Sequence, residues 1–93
     1  MVLNTSTITV YPEKRREFLQ TVKQLLSPIN RAVGCKQFRL YIDVADEDSS
    51  LLLGEWESEA DLDNYLRSNP HAILHGAIIV LGKERKELKA IVD

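Results

Sequence analysis

His71 and His75 stand four residues apart, one helical turn, so two imidazoles would share one face of a helix. That spacing is the metal-binding arrangement on a helix, but a His-Glu-x-x-His site has a glutamate between its histidines, and this run has none. Two ligands alone do not make a zinc site, so no metal is expected. A surface or pocket-edge position is expected for His75. Trp56, Tyr65 and Phe38 are the aromatic side chains that could wall a pocket for a flat ligand. Trp56 equally suits a core position bridging sheet and helices, and Tyr65 a rim or packing position. Cys35 follows Gly34 at a strand entry and reads as a buried structural thiol, with only Lys36 nearby to lower its pKa. Glu59, Asp61 and Asp63 read as the solvated face of a short helix rather than a cation site.

The elements that must hold these residues fit one domain over 1–93, because 93 residues bury only a modest core. With 44% apolar and 28% charged residues, the chain has the balance of a globular protein. Twelve Lys and Arg against 14 Asp and Glu leave a net charge of −2, and both basic runs, at 14–16 and 83–86, carry adjacent acids. A nucleic-acid partner is therefore not expected, since phosphate binding needs a basic face. The longest apolar stretch, Ala77 to Leu81, is far short of the ~20 residues that span a bilayer, and no membrane partner is expected. The N-terminus lacks the basic and apolar segments of a signal peptide, and one cysteine cannot form an internal disulfide. The expected location is cytoplasmic.

Leu3 to Tyr11 reads as a strand, with Ile8 and Val10 alternating with Thr7 and Thr9. Pro12 opens a helix whose stripe is Phe18, Val22, Leu25, Leu26 and Ile29. Pro28 is expected to bend its last turn or restart it from Ser27, and Gly34 to end it. A second strand over Lys36 to Val44 sets Phe38, Leu40, Ile42 and Val44 on one side. After the polar turn at 46–49, a third strand runs from Ser50 to Glu57, which makes an antiparallel hairpin. Ser58 caps a short helix carrying Leu62, Tyr65 and Leu66. Asn69-Pro70 starts a strongly apolar helix to Leu81, with Gly82 as terminator. A last strand is expected after the charged run, on Leu88, Ala90 and Val92.

The order β-α-β-β-α-β predicts an α+β, ferredoxin-like fold with a four-stranded antiparallel sheet. The third strand is apolar on both sides, with Leu51 and Leu53 on one and Leu52, Gly54 and Trp56 on the other. Helices cover one face, and in so small a chain a second copy of the sheet is the economical cover for the other. A homodimer through sheet faces is expected, with Arg39 and Tyr41 at the docking surface.

The stretch Pro12 to Ile29, Gly34-Cys35, Phe38 to Tyr41, the run Leu53-Gly54-Glu55-Trp56-Glu57-Ser58 and Asp61 to Ser68 together resemble the antibiotic biosynthesis monooxygenase family. The resemblance covers nearly the whole chain in order. It implies a dimeric α/β-barrel arrangement with a pocket between helices and sheet in each subunit. It also implies cofactor-independent chemistry, with neither metal nor flavin, in which a phenol or quinol is deprotonated and itself reduces dioxygen. The family's His-Leu-x-Ser has Tyr65 at the His position, and a phenol with an ordinary pKa near ~10 is a poor base at neutral pH.

The resemblance implies a monooxygenase acting on a small aromatic or quinol substrate, with Trp56, Tyr65, His75 and Phe38 at its pocket. The competing function is a non-catalytic dimeric domain that binds a small hydrophobic ligand. An open pocket reaching Trp56 would favour the first, and a filled core there the second. Haem binding or degradation is a third reading, because His75 falls where the haem-degrading relatives place their iron-ligating histidine. Those relatives also carry a Trp at the Tyr65 position and an Asn on the first strand, where this chain offers Ser6 and Thr7.

Overall fold

In the computed structural model, Met1 to Val92 are described. β1 (Val2–Val10) leads through a 3-10 turn (Pro12–Lys14) into α1 (Arg15–Asn30). The hairpin of β2 (Cys35–Ile42) and β3 (Ser49–Trp56) follows, then α2 (Glu59–Leu66), α3 (Asn69–Leu81) and β4 (Gly82–Ile91). The four strands form one antiparallel sheet in the order β2-β3-β1-β4, the expected ferredoxin-like α+β arrangement.

One sheet face carries the helices. Ile8 and Val10 of β1, Leu52 and Trp56 of β3, and Phe18, Val22 and Ile29 of α1 are all but inaccessible to solvent. Truncating Phe18 to alanine in such a core costs about 3–5 kcal/mol. Asn30, the last residue of α1, fixes the hairpin beneath it. Its amide donates to the Phe38 carbonyl at 2.9 Å and its Oδ1 accepts the Phe38 N–H at 3.0 Å. α1 runs as one helix through Pro28 rather than restarting at Ser27. Gly34, at φ 79°, makes the turn into β2 in a conformation that side chains disfavour, and its carbonyl accepts the Glu57 N–H at 2.8 Å.

Register puts the residues of opposite parity on the bare face: Thr5 opposite Leu53 and Leu88, and Leu51 opposite Thr7 and Tyr41. Tyr41 and Leu88 are 43% and 64% exposed there.

Several sequence expectations are corrected. The last strand begins at Gly82, not after the charged run, and ends at Ile91, leaving Val92 outside it. An edge strand can hold charges on both faces in solvent, so 84–87 pairs with β1 without an apolar alternation to announce it. Gly82 ends α3 in an extended conformation (φ −81°, ψ 143°) and joins it directly to β4. Its N–H reaches the Ile78 carbonyl, and a Cβ there would collide with that same oxygen. β2 stops at Ile42, and both Ile42 and Val44 are exposed. The cap of α3 is Ser68, one residue before Asn69.

Candidate functional site

An aromatic row runs from the core outward beneath α2 and α3. Trp56, fully buried, stacks on Tyr65 with ring centroids 4.7 Å apart and 22° between planes. The Tyr65 ring meets the edge of His71 at 5.0 Å and 69°, and His71 lies 5.9 Å from His75. Local sequence sets this order. Ser58 caps α2 by accepting the Asp61 N–H at 3.2 Å, and Ser68 caps α3 by accepting the His71 N–H at 3.4 Å. The one-turn spacing of His71 and His75 then aims both from α3 at the sheet.

β1 supplies the polar floor. Asn4 and Ser6 share the helix-facing side with Ile8 and Val10, one strand period apart. Asn4 Oδ1 accepts the indole N–H of Trp56 at 3.0 Å, which ends the row on a satisfied buried donor. Gly54 makes this possible, since a Cβ at that position would strike both Asn4 and the Trp56 ring.

Between β1 and β4 on one side and α2 and α3 on the other lies a cleft of about 370 Å³. Asn4, Ser6, Leu62, Leu66, His71 and His75 are on its walls, with Glu87 and Lys89 along β4. Beneath it is a void of about 20 Å³, closed by Phe38, Leu52, Leu74 and Ile78 and reached by Tyr65, His71 and His75. A void of that size holds about one water. Two buried polar atoms have no hydrogen-bond partner there: the Tyr65 hydroxyl and His71 Nδ1. Such groups cost free energy unless a water or a ligand atom fills their bonds.

Burial, with a smaller contribution from Cys35, pushes the Tyr65 phenol well above its ordinary value, so it is a donor and not a base. Burial also lowers His71, His75 adds to this, and Glu87 opposes it. His71 is therefore neutral at pH 7, with an imidazole nitrogen free to take a proton. The Arg85 guanidinium lies 3.4 Å from His75 Nδ1. Since arginine only donates, it hydrogen-bonds that nitrogen only when the nitrogen carries no proton. Cys35 is half-buried, and burial raises its thiol, partly offset by the Gln37 backbone. The arrangement sets a phenol donor and a neutral imidazole, both without partners, at the inner end of an open cleft.

Residues 1–76 match the family profile of antibiotic biosynthesis monooxygenases. The chain belongs to that family. Its relative YcnE of Bacillus subtilis, provisionally named a monooxygenase, is 33% identical over 60 residues, which is 64% of this chain and 63% of YcnE. The chain thus matches less than two thirds of that relative's length. A crystal structure of an antibiotic biosynthesis monooxygenase superposes with a TM-score of 0.91 at 17% identity, covering 100% of this chain and 99% of the other. A conserved protein from Methanosarcina mazei Go1 gives 0.90 at 23% identity, covering 96% and 89%. At these identities the likeness is one of fold.

For this antibiotic biosynthesis monooxygenase family member, the structure places Tyr65 and Phe38 at the inner void and His75 on both void and cleft. Trp56 lines neither; Tyr65 and Asn4 lie between it and the open space. Three polar site residues escaped the sequence reading. The parity of Ile8 and Val10 already put Asn4 on the helix side. His71 was weighed only as a metal ligand. Glu87 was hidden in a charged run that does not look like a strand.

Proposed function

We propose that this protein is a cofactor-independent monooxygenase for a small phenol or quinol bound in the cleft between β1, β4, α2 and α3. The observation that carries the reading is the pair of unpartnered buried groups, the Tyr65 hydroxyl and His71 Nδ1, at the inner end of that cleft. The ring lies between Leu62 and Leu66 and the Asn4 and Ser6 floor, with one hydroxyl reaching the pair. His71 Nδ1 takes the proton, and Tyr65 donates to the phenolate oxygen. The electron-rich phenolate then reduces dioxygen itself, so no bound metal or flavin is required. For a quinol the balance is quinol plus dioxygen giving hydroxyquinone plus water. One oxygen atom forms the new bond to ring carbon, and the other leaves as water with the two hydrogens lost.

Family membership supports the reaction class, and the name of YcnE points the same way. We extend the proposal to a homodimer joined through the bare sheet face, where Leu51, Leu53, Tyr41 and Leu88 lack cover, and to the cytoplasm, whose reducing conditions suit one unpaired thiol.

A second reading, a non-catalytic domain that binds a small hydrophobic ligand, is favoured by the filled space over Trp56. Oxygen uptake with a quinol panel separates the two. The first reading expects uptake that falls at least ~100-fold in His71→Ala. Equal inertness of wild type and variant sinks it. Haemin joins the panel because Asn4 supplies a first-strand asparagine beside His75. A Soret band lost in His75→Ala would replace the quinol reading with a haem one.

A further inference from the structure

β4 sends three consecutive helix-side residues toward the site: Arg85 opposite Ile8, Glu87 opposite Ser6, and Lys89 opposite Asn4. The two cations are engaged elsewhere. Arg85 reaches His75 Nδ1 at 3.4 Å and is not on the walls of the cleft or the void. Lys89, on the cleft wall, pairs with Glu59 of α2 at 3.2 Å. Glu87 lines both the cleft and the inner void, and among the described residues its carboxylate has no ion pair and no side-chain hydrogen bond. The remaining polar lining is Asn4, Thr5 and Ser6, together with His71, whose imidazole burial keeps neutral at pH 7, and His75, which faces the Arg85 guanidinium. The uncompensated charge facing a ligand is therefore that of Glu87.

From this placement we propose that the cleft selects a phenol or quinol bearing a cationic amine substituent, whose ammonium is received by Glu87. The inference rests on the oxygenase reading for the phenolic part and deepens it. A lone carboxylate beside the site opposes formation of a phenolate there. An ammonium on the same ring removes that opposition and makes the phenol more acidic. A carboxylate-bearing ligand meets Glu87 as a like charge and finds Lys89 already held by Glu59.

The test measures anaerobic binding of three probes of matched size: hydroquinones carrying an aminomethyl, a hydroxymethyl or a carboxymethyl group. Trp56 is the single tryptophan, and its stacked partner Tyr65 borders the void, so its fluorescence reports occupancy without turnover. At low salt the aminomethyl probe should bind about fivefold or more tighter than the neutral one, with the carboxymethyl probe weakest. Glu87→Gln should bring the aminomethyl and hydroxymethyl probes to equal affinity. Glu84→Gln, on the opposite side of the same strand, should leave it intact. Circular dichroism checks that both exposed-strand variants fold. Equal affinity for the three probes, a preference that survives in Glu87→Gln, or binding of none of them overturns the inference. Oxygen uptake is scored separately. An ammonium preference without uptake sinks the oxygenase reading and leaves the specificity standing, whereas uptake without charge preference does the reverse.

Discussion

The indole N–H of Trp56 on β3 donates to Asn4 Oδ1 on β1 at 3.0 Å, passing over Gly54. This bond ties the core aromatic to the polar floor of the cleft, so one contact serves both packing and site. Asn4→Ala leaves the indole donor buried without a partner, and the expected loss is about 1–3 kcal/mol in urea unfolding. Asn4→Asp keeps an acceptor and should lose less. Equal losses for the two would mean that the bond contributes nothing.

Gly54→Ala attacks the same place from the other side. Its methyl meets Asn4 and the Trp56 ring, neither of which is a free side-chain end. The expected cost is about 1–3 kcal/mol, as for overpacking elsewhere. Adding Asn4→Ala should recover part of it, because space opens where the methyl goes. A double variant whose losses simply add would refute the shared clash.

How much of this was legible beforehand depends on which signals are local. The hairpin, the capped helices and the ferredoxin-like order follow from alternation, from Ser58 and from Asn69-Pro70, all short-range features. The first half of β4, from Gly82 to Glu87, escaped because an edge strand in solvent does not need an apolar side, and Glu87 was lost with it. Tyr65, Phe38 and His75 were legible as candidates, but their stacking order depends on how α2 and α3 cross the sheet. The filled space over Trp56 depends on the same crossing, which no single-strand period encodes. His71 carried a readable signal, its spacing from His75, but its chemistry comes from burial and from the unpartnered nitrogen, both products of tertiary packing.

Two titrations should bracket the stability of the fold. His71 has its folded pKa held below the ordinary 6.5, chiefly by burial. As pH falls, the unfolded chain binds the proton first, so the stability contributed by neutral His71 is present above about 6.5 and is lost below it. Tyr65 is displaced upward from 10.0, again chiefly by burial. The folded phenol keeps its proton when the unfolded one has lost it, so stability declines as pH rises above about 10. Urea midpoints across pH should show both shoulders. His71→Phe should flatten the acid side alone, and Tyr65→Phe the alkaline side alone.

The bare sheet face makes a prediction about assembly. Leu51 and Leu53 point away from the helices, and Leu88 is 64% exposed beside them. A stable interface buries about 800 Å² per partner, which a four-stranded face can supply. Sedimentation at micromolar concentration should give a dimer, and Leu53→Glu should give a folded monomer or a much weaker dimer. A wild-type monomer, or a Leu53→Glu protein of unchanged mass, excludes this face as the interface.

Ser68 offers a way to separate positioning from folding. Its hydroxyl accepts the backbone N–H of His71, so the cap of α3 and the placement of the proposed base are one interaction. Ser68→Ala should cost about 1 kcal/mol, as a lost N-cap does. In a chain of this size that lowers Tm by roughly 4–8 °C. Asparagine caps as well as serine, so Ser68→Asn should restore Tm. If the cap also orients His71, quinol binding should fall in Ser68→Ala at a temperature where the protein is fully folded, and should return in Ser68→Asn. Binding that ignores the cap while Tm follows it would mean that Ser68 stabilises α3 without placing the imidazole. The orientation of His71 would then have to come from the Tyr65 ring against which its edge packs.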